Sequence, residues 1–208
     1  MLFFCTKHHF SVSLHYLCFA NYTRTMGKII LITGGQRSGK SEHAERLALQ
    51  MSDSPVYLAT SRIWDDEFRE RVRRHQSRRG PQWTNVEEEK WLSRCIVAGR
   101  VVVVDCLTLW STNFLTDAMG DGSEHLTAVE RRSMTDKVLR EMKAEFERFT
   151  SQDAIFIVVT NEVGSGGVSA NALQRQFTDV QGWINQFVAE RADEVILMVS
   201  GIACKIKG

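Results

Sequence analysis

The sequence predicts an α/β fold: a mainly parallel sheet with helices on both faces, built around a phosphate-binding loop. Three observations carry that expectation. Short apolar runs alternate with amphipathic stretches along the 208 residues, the pattern of strands buried on both faces. The first run, Ile29-Ile30-Leu31-Ile32-Thr33, leads straight into Gly34-Gly35-Gln36-Arg37-Ser38-Gly39-Lys40-Ser41, which fits G-x-x-x-x-G-K-[ST]. A helical stretch from Glu42 to Met51 follows at once. Strand, glycine loop and helix therefore stand in the order such a loop requires.

The remaining elements follow in order. Pro55 to Thr60 reads as a second strand, and Ile63 to Arg79 as a charged helix stopped by Gly80-Pro81. Trp83 to Val86 reads as a short strand and Glu88 to Ala98 as a helix. Val101 to Val104 is β-branched and closes on Asp105, a buried strand. Leu107 to Ala118 is helical, Gly120-Asp121-Gly122-Ser123 a turn, and Thr127 to Phe149 a long amphipathic helix. Ala154 to Val159 is another buried strand, followed by Thr160-Asn161-Glu162 and the glycine loop Gly164 to Gly167. Ala170 to Arg191 is helical and Glu194 to Val199 is a late strand.

Parallel sheets bind ligands at the carboxyl ends of their strands. That rule gathers the phosphate loop, Thr60-Ser61, Asp105 and Asn161-Glu162 along one edge. In the loop, Gly34 and Gly39 permit backbone angles that a side chain disfavours. Successive N–H groups then turn inward on phosphate oxygens, helped by the positive end of the following helix. Lys40 is placed to reach the terminal phosphates and Ser41 to hold Mg²⁺. Asp105, at the end of a buried strand, reads as the partner that orients Mg²⁺, directly or through water, beside Ser41, with a helix N-cap or a surface turn as the other reading. The motif says that a nucleoside triphosphate binds and leaves its use open.

The 63–79 stretch carries Arg69, Arg71, Arg73, Arg74, Arg78 and Arg79, with Arg62 before it and His75 among them. Arg71, His75 and Arg79 fall at four-residue steps on one helical face. Beside a triphosphate, arginines neutralise charge on transferring phosphoryl groups. Positive neighbours keep an imidazole neutral, and a neutral imidazole can attack phosphorus to give a phosphoramidate. From chemistry alone, a solvated helix and a structural histidine remain open. Glu87 alone is an ordinary surface acid, and His43 and His125 read as structural.

Composition narrows the classes further. A formal net charge of +1 gives no global field for nucleic acid or membranes, and no basic–aromatic pattern suits stacking on single strands. No apolar run is long enough to span a bilayer, so no stable membrane insertion is expected. The five cysteines include no C-x-x-C pair, which argues against zinc and a disulfide framework and suits a cytoplasmic protein. Residues 1–25 are aromatic and hold three of the six histidines. They lack a clean apolar core or an A-x-A site. Met26-Gly27-Lys28 opens directly into the first strand, so Met26 is the expected start of a single nucleotide-binding domain, 26–208. Residues 1–25 would then be a non-native or misassigned leader, an expectation that a native N-terminal peptide from within them would sink.

From Lys28 onward the chain resembles the bifunctional adenosylcobinamide kinase / adenosylcobinamide-phosphate guanylyltransferase family of cobalamin synthesis. The likeness lies in Ile32 to Ser41, Tyr57-Leu58-Ala59-Thr60-Ser61, Asp65-Asp66-Glu67 leading to Arg71-Val72 and His75, and Pro81-Gln82-Trp83. It continues through Val104 to Trp110 with Asn113, Thr160 to Gly166, Arg175, Phe177, Asp179, Gly182, Asn185-Gln186 and Val199 to Ile202. The resemblance implies two reactions. ATP or GTP phosphorylates adenosylcobinamide. GTP then gives GMP to that phosphate through a guanylyl-histidine, yielding adenosylcobinamide-GDP. The family's nucleophile falls on His75. Nucleotide contacts fall on Gly34, Gly35, Gln36, Arg37, Ser38, Gly39, Lys40 and Ser41, on Ala59, Thr60 and Ser61, on Gln76, Ser77, Arg78 and Arg79, and on Glu87 and Asp105. A homotrimer, with the site completed near a subunit boundary, is also implied. Where many relatives carry Val-Pro after the Gly-Ser-Gly loop, this chain has Gly167-Val168-Ser169, which predicts a more mobile loop. Two other readings compete: a phosphate-loop kinase of small molecules without guanylyl transfer, and a nucleotide-driven regulatory module, against which the absence of N-K-x-D speaks.

Overall fold

The computed structural model describes residues 27–63, 66, 69–70, 73, 77, 79–120 and 126–208. The proposed leader, His75, Gln76, Arg78 and His125 lie outside them. The described strands form one seven-stranded sheet. They are β1 (Lys28–Gly34), β2 (Val56–Ala59), β3 (Thr84–Glu87), β4 (Val101–Asp105), β5 (Ile155–Val159), β6 (Glu194–Val199) and β7 (Ile202–Lys207). Their order is β3-β2-β4-β5-β1-β6-β7. Every neighbouring pair is parallel except β6 with β7, so the expected mainly parallel sheet is borne out.

Helices cover both faces. On one, Ala44 and Ala48 of α1 (Lys40–Met51) pack with Ile30, Ile32, Tyr57, Val103 and Ile157. The small alanines let this helix lie close to the sheet. On the other face lie α2 (Leu107–Met119), α3 (Ala128–Thr150) and α4 (Ala172–Arg191). Their Trp110, Phe114, Met142, Phe146, Phe149, Val180 and Ile184 bury Ile29, Leu31, Val102, Val104, Phe156 and Val158. Alternate residues of one strand thus feed opposite cores. Helix α3 starts where the sequence puts it: Thr127 accepts from the Glu130 backbone N–H, and Glu130 accepts from Thr127 N–H at 2.8 Å, a reciprocal cap.

Two expectations need correction. The helix expected over Glu88 to Ala98 is only a 3₁₀ turn at Leu92–Arg94. Side chains take the N–H groups that a helix would use. Glu88 Oε1 accepts from Lys90 and Trp91, Glu145 Oε1 from Ser93 at 2.7 Å, and Gln152 Oε1 from Val97 at 2.8 Å. Long-range partners in α3 and the turn after it overrode local propensity. The second correction adds β7, an edge strand after the tight Ser200-Gly201 turn, where φ is 50° and 83°. Two positive-φ residues match the twist of an antiparallel hairpin.

The order of strands positions the site. Strand β1 carries the glycine loop and β4 carries Asp105, with β5 wedged between them. From β1 the chain goes on to β2, beyond β4, whereas from β5 it crosses β1 to reach β6. The reversal opens a crevice at the carboxyl ends of β1, β5 and β4.

Candidate functional site

A cleft of about 730 Å³ lies at that crevice. Its first wall is the glycine loop, from Gln36 to Ser41, continued by Glu42 and Glu45 of α1. Gly34 has φ 147° and Gly39 has φ 91°, so both glycines sit where an L side chain is strained. A Cβ on Gly34 would also strike the Met198 carbonyl. Arg37 holds φ 59° despite its side chain. The loop is closed by local bonds. Ser38 N–H reaches Gly35 O at 3.3 Å, and His43 N–H reaches Gly39 O at 2.9 Å to begin α1. The β6–β7 turn braces it from outside, with Gly201 N–H donating to Ser38 O at 3.0 Å.

Lys40 is 6% exposed. Its ammonium folds back on the loop, donating to Gly35 O at 2.5 Å and reaching Ser38 Oγ at 3.4 Å. Burial pushes its pKa down, opposed by the negative charge of Asp105. A desolvated ammonium with so few partners is ready to trade a carbonyl for a phosphate oxygen.

The facing wall is Asp105, Tyr57, Ala59, Ser61 and Arg79. Asp105 ends β4, before a cis peptide bond to Cys106. Its Oδ2 accepts from the Tyr57 hydroxyl at 2.5 Å. Arg79 stacks on the Tyr57 ring at 3.6 Å, donates to Asn85 Oδ1 at 2.8 Å and pairs with Glu45 at 3.4 Å. Burial, then Asp105, pushes the Tyr57 pKa well up, so its proton stays to be donated. Burial raises the Cys106 thiol to about 12. Cys106 lines the cleft but stays protonated, which removes it as a nucleophile.

Beneath both walls runs a buried polar layer. Thr60 Oγ1 donates to Cys106 O at 2.8 Å and accepts from Cys106 N–H at 2.9 Å. Asn113 donates to Thr60 O and Glu89 O at 2.8 and 2.9 Å. After β5, Thr160 donates to Asn185 Oδ1, Gln181 donates to both, and Asn185 donates to Asn161 O. Asn161 donates through backbone and side chain to Thr108 Oγ1, each at 3.0 Å. These bonds satisfy strand-end groups that would otherwise be buried unpaired.

The expected residues divide accordingly. Gln36 to Ser41, Ala59, Ser61, Arg79 and Asp105 line one cleft. Gly34 supports the loop at the end of β1 and Gly35 lies exposed beside it. Thr60 is fully buried with its hydroxyl committed below the floor. Ser77 is helical and exposed, as are the backbones of Asp66, Arg69, Glu70 and Arg73 helical. Glu87 is exposed at the end of β3. His43 pairs with Arg46 at 3.1 Å on α1, consistent with a structural role. Sequence reasoning gave no role to Tyr57, Glu45 or Thr108. Tyr57 was findable: it shares a β2 face with Ala59, beside the strand that ends in Asp105.

For a cation, Ser41 and Asp105 offer oxygens to one cleft. No group of three or more His, Cys, Asp or Glu among the described residues could hold a metal by itself. Mg²⁺ at a triphosphate needs only one or two protein oxygens, the rest coming from phosphates and water. The donor set therefore fits Mg²⁺ brought with a nucleotide.

The model of the cobinamide kinase / cobinamide phosphate guanyltransferase family matches residues 30–206. The chain belongs to this family. It is 39% identical over 183 residues to the bifunctional adenosylcobalamin biosynthesis protein CobU of Escherichia coli K12, covering 86% of this chain and 99% of that protein. The protein of the same name from Salmonella typhimurium is 39% identical over 187 residues, with the same coverage. CobP of Pseudomonas aeruginosa is 36% identical over 182 residues, covering 86% and 96%. Among solved structures, the flagellar accessory protein FlaH of Methanocaldococcus jannaschii is 16% identical with a TM-score of 0.43, covering 88% of this chain and 79% of that one. Membership in the family bears out the resemblance read from the spaced motifs.

Proposed function

We propose that this enzyme phosphorylates adenosylcobinamide with ATP or GTP and then transfers GMP from GTP to the product, through a guanylyl group on His75, to give adenosylcobinamide-GDP. One observation carries the reading: the glycine loop, Ser41 and Asp105 face one cleft whose far wall is closed by Arg79, the last residue of the arginine-rich stretch. His75 precedes Arg79 by one helical turn in sequence.

In the first step the substrate hydroxyl attacks the γ-phosphorus. The new O–P bond forms as the bridging P–O bond breaks, the nucleoside diphosphate leaves, and the hydroxyl proton passes to solvent. Such transfer is mostly positioning and charge stabilisation. The loop N–H groups and Lys40 hold the phosphates, Lys40 exchanging Gly35 O for a phosphate oxygen. In the second step the neutral imidazole of His75 attacks the α-phosphorus of GTP and pyrophosphate leaves. The phosphate of adenosylcobinamide phosphate then displaces the imidazole, breaking the P–N bond. Gln76, Ser77, Arg78, Arg79, Glu87, Ala59 and Ser61 are assigned to nucleotide contact, whereas Thr60, fully buried, shapes the floor beneath them. Ser41 and Asp105 would hold Mg²⁺, which supplies charge neutralisation on the phosphates.

No helix among the described residues is long and apolar enough to cross a membrane. We assign the enzyme to the cytoplasm, where its nucleotides are, and to a homotrimer, testable by light scattering against the 23.7 kDa chain mass. The deciding assay combines the protein with adenosylcobinamide, ATP, GTP and Mg²⁺ and weighs the corrinoid product. Adenosylcobinamide-GDP supports the reading. Arrest at the phosphate would leave a kinase alone, and no transfer with retained GTP binding would revive a regulatory module.

A further inference from the structure

We propose that Tyr57 is a positioning residue for this enzyme: its hydroxyl fixes the Asp105 carboxylate toward the nucleotide-bound cation, and Arg79 fixes Tyr57. The proposal rests on the reading of Ser41 and Asp105 as the Mg²⁺ side of the site.

Packing alone does not ask for a tyrosine here. Tyr57 is 5% exposed, sits edge-on to Trp83 with ring centroids 6.1 Å apart, and belongs to the α1-side core. Phenylalanine would fill the same space. A buried hydroxyl costs free energy unless it finds a partner, and this one donates to Asp105 Oδ2 at 2.5 Å. That length belongs to strong bonds between a hydroxyl and a carboxylate.

Register explains how the bond arises. Tyr57 pairs with Val103, and Ala59 pairs with Asp105, in the parallel β2–β4 ladder. Val103 and Asp105 point to one face because they are two residues apart. Tyr57 shares that face, and its ring spans the stagger to the end of β4. One carboxylate oxygen is thereby committed, and the other is left for the cleft.

The tyrosine is itself held. The Arg79 guanidinium lies 3.6 Å from the ring centroid and is anchored by Asn85 on β3 and Glu45 on α1. The Arg79 side chain is only 2% exposed, so its charge is spent on this stack as well as on the cleft wall. The chain Glu45–Arg79–Tyr57–Asp105, with Asn85 beside it, thus ties α1 and three strands to a single carboxylate.

The test is GTP binding to Tyr57→Phe, measured by calorimetry with Mg²⁺ and again with EDTA, beside a thermal melt. The ring and its contact with Arg79 should persist, and the melting temperature should fall only modestly, by the scale of one lost hydrogen bond. Affinity for GTP with Mg²⁺ should fall roughly tenfold, the scale of one charge-assisted hydrogen bond. Affinity in EDTA should match wild type. The Mg²⁺ concentration for half-maximal rate should rise in both reactions, with kcat at saturating Mg²⁺ moving less. Equal loss with and without Mg²⁺ would make Tyr57 structural and overturn the proposal, as would wild-type affinity in both. If wild type itself binds GTP no better with Mg²⁺, the cation reading falls and this one with it. That failure shows in wild type and is separate from a failure of Tyr57.

Discussion

Lys40 and Asp105 face each other across one cleft but are held in place differently. The glycine-loop wall is a continuous piece of chain whose side chains bond within it, Lys40 to Gly35 with Ser38 to Gly35 and His43 to Gly39 through the backbone, and which takes only backbone braces from outside, Gly201 to Ser38 and Glu162 to Gly34. The Asp105 wall is assembled from β2, β4, α1 and Arg79, each side chain held by one from elsewhere. The first wall can lose a functional group and keep its shape. The second couples function to packing, so its members affect both.

Replacing Lys40 with Met should give the largest effect. The stem is kept, the ammonium is lost, and phosphate charge loses its nearest cation. Both reactions should fall by roughly 10²–10³ in kcat, the scale for removal of one transition-state donor. The melting temperature should stay or rise, because a desolvated charge has been removed. Steady-state rates with a thermal melt check this, and a large loss of stability would contradict a self-contained loop.

Next comes His75→Ala, which separates the reactions. Guanylyl transfer should be abolished and phosphorylation retained, read by corrinoid mass and by trapping of labelled GMP on protein. Equal loss of both in a folded protein would remove the dedicated nucleophile.

Arg79→Lys probes the second wall. Lysine keeps the charge but not the planar stack on Tyr57 or the fork to Asn85 and Glu45. A several-fold rise in the Mg²⁺ requirement should accompany a destabilisation of about 1 kcal/mol, the scale of a cation–π contact and a side-chain hydrogen bond. Urea unfolding and Mg²⁺ titration check the pair. An effect on rate with none on stability would make Arg79 a plain phosphate contact.

The contrast between the walls also explains what the sequence made legible. The loop was readable because its chemistry is contiguous: glycines, Lys40 and Ser41 sit at fixed offsets between a strand and a helix. Asp105 was readable because it ends a β-branched run. Tyr57, Glu45 and Thr108 were not assigned roles, since theirs come from ladder register and from partners 48, 34 and 53 residues away. Asn113 and Asn185 were visible as motif residues without a reason. The structure supplies one: they satisfy carbonyls at strand ends, Thr60 O and Asn161 O. The helix expected at 88–98 failed for the same cause. Glu145 and Gln152, far along the chain, take its N–H groups.

The smallest expected effect lies at the rim, where Arg62 joins Glu89 at 2.7 Å and Asp117 at 2.8 Å, and Lys90 joins Asp117 at 2.9 Å. Arg62 comes just before the arginine-rich stretch, so this cluster pins its entry to α2 and to the 88–91 turn. Hydrogen bonds from Arg62, then Lys90, hold the Asp117 carboxyl down at about 2. A carboxylate whose folded pKa is depressed stabilises the fold above its ordinary value and loses that contribution as pH falls through the folded value. The window is therefore about pH 4 to 2, with nothing lost near neutrality. Asp117 is partly exposed, so salt should shrink the effect. Asp117→Asn should flatten the acid limb of urea stability between pH 4 and 2 and leave both reactions near wild type at pH 7. A neutral-pH loss of GTP binding would instead place the rim cluster in the nucleotide site, and the contrast between a working cleft and its tethered edge would have to be redrawn.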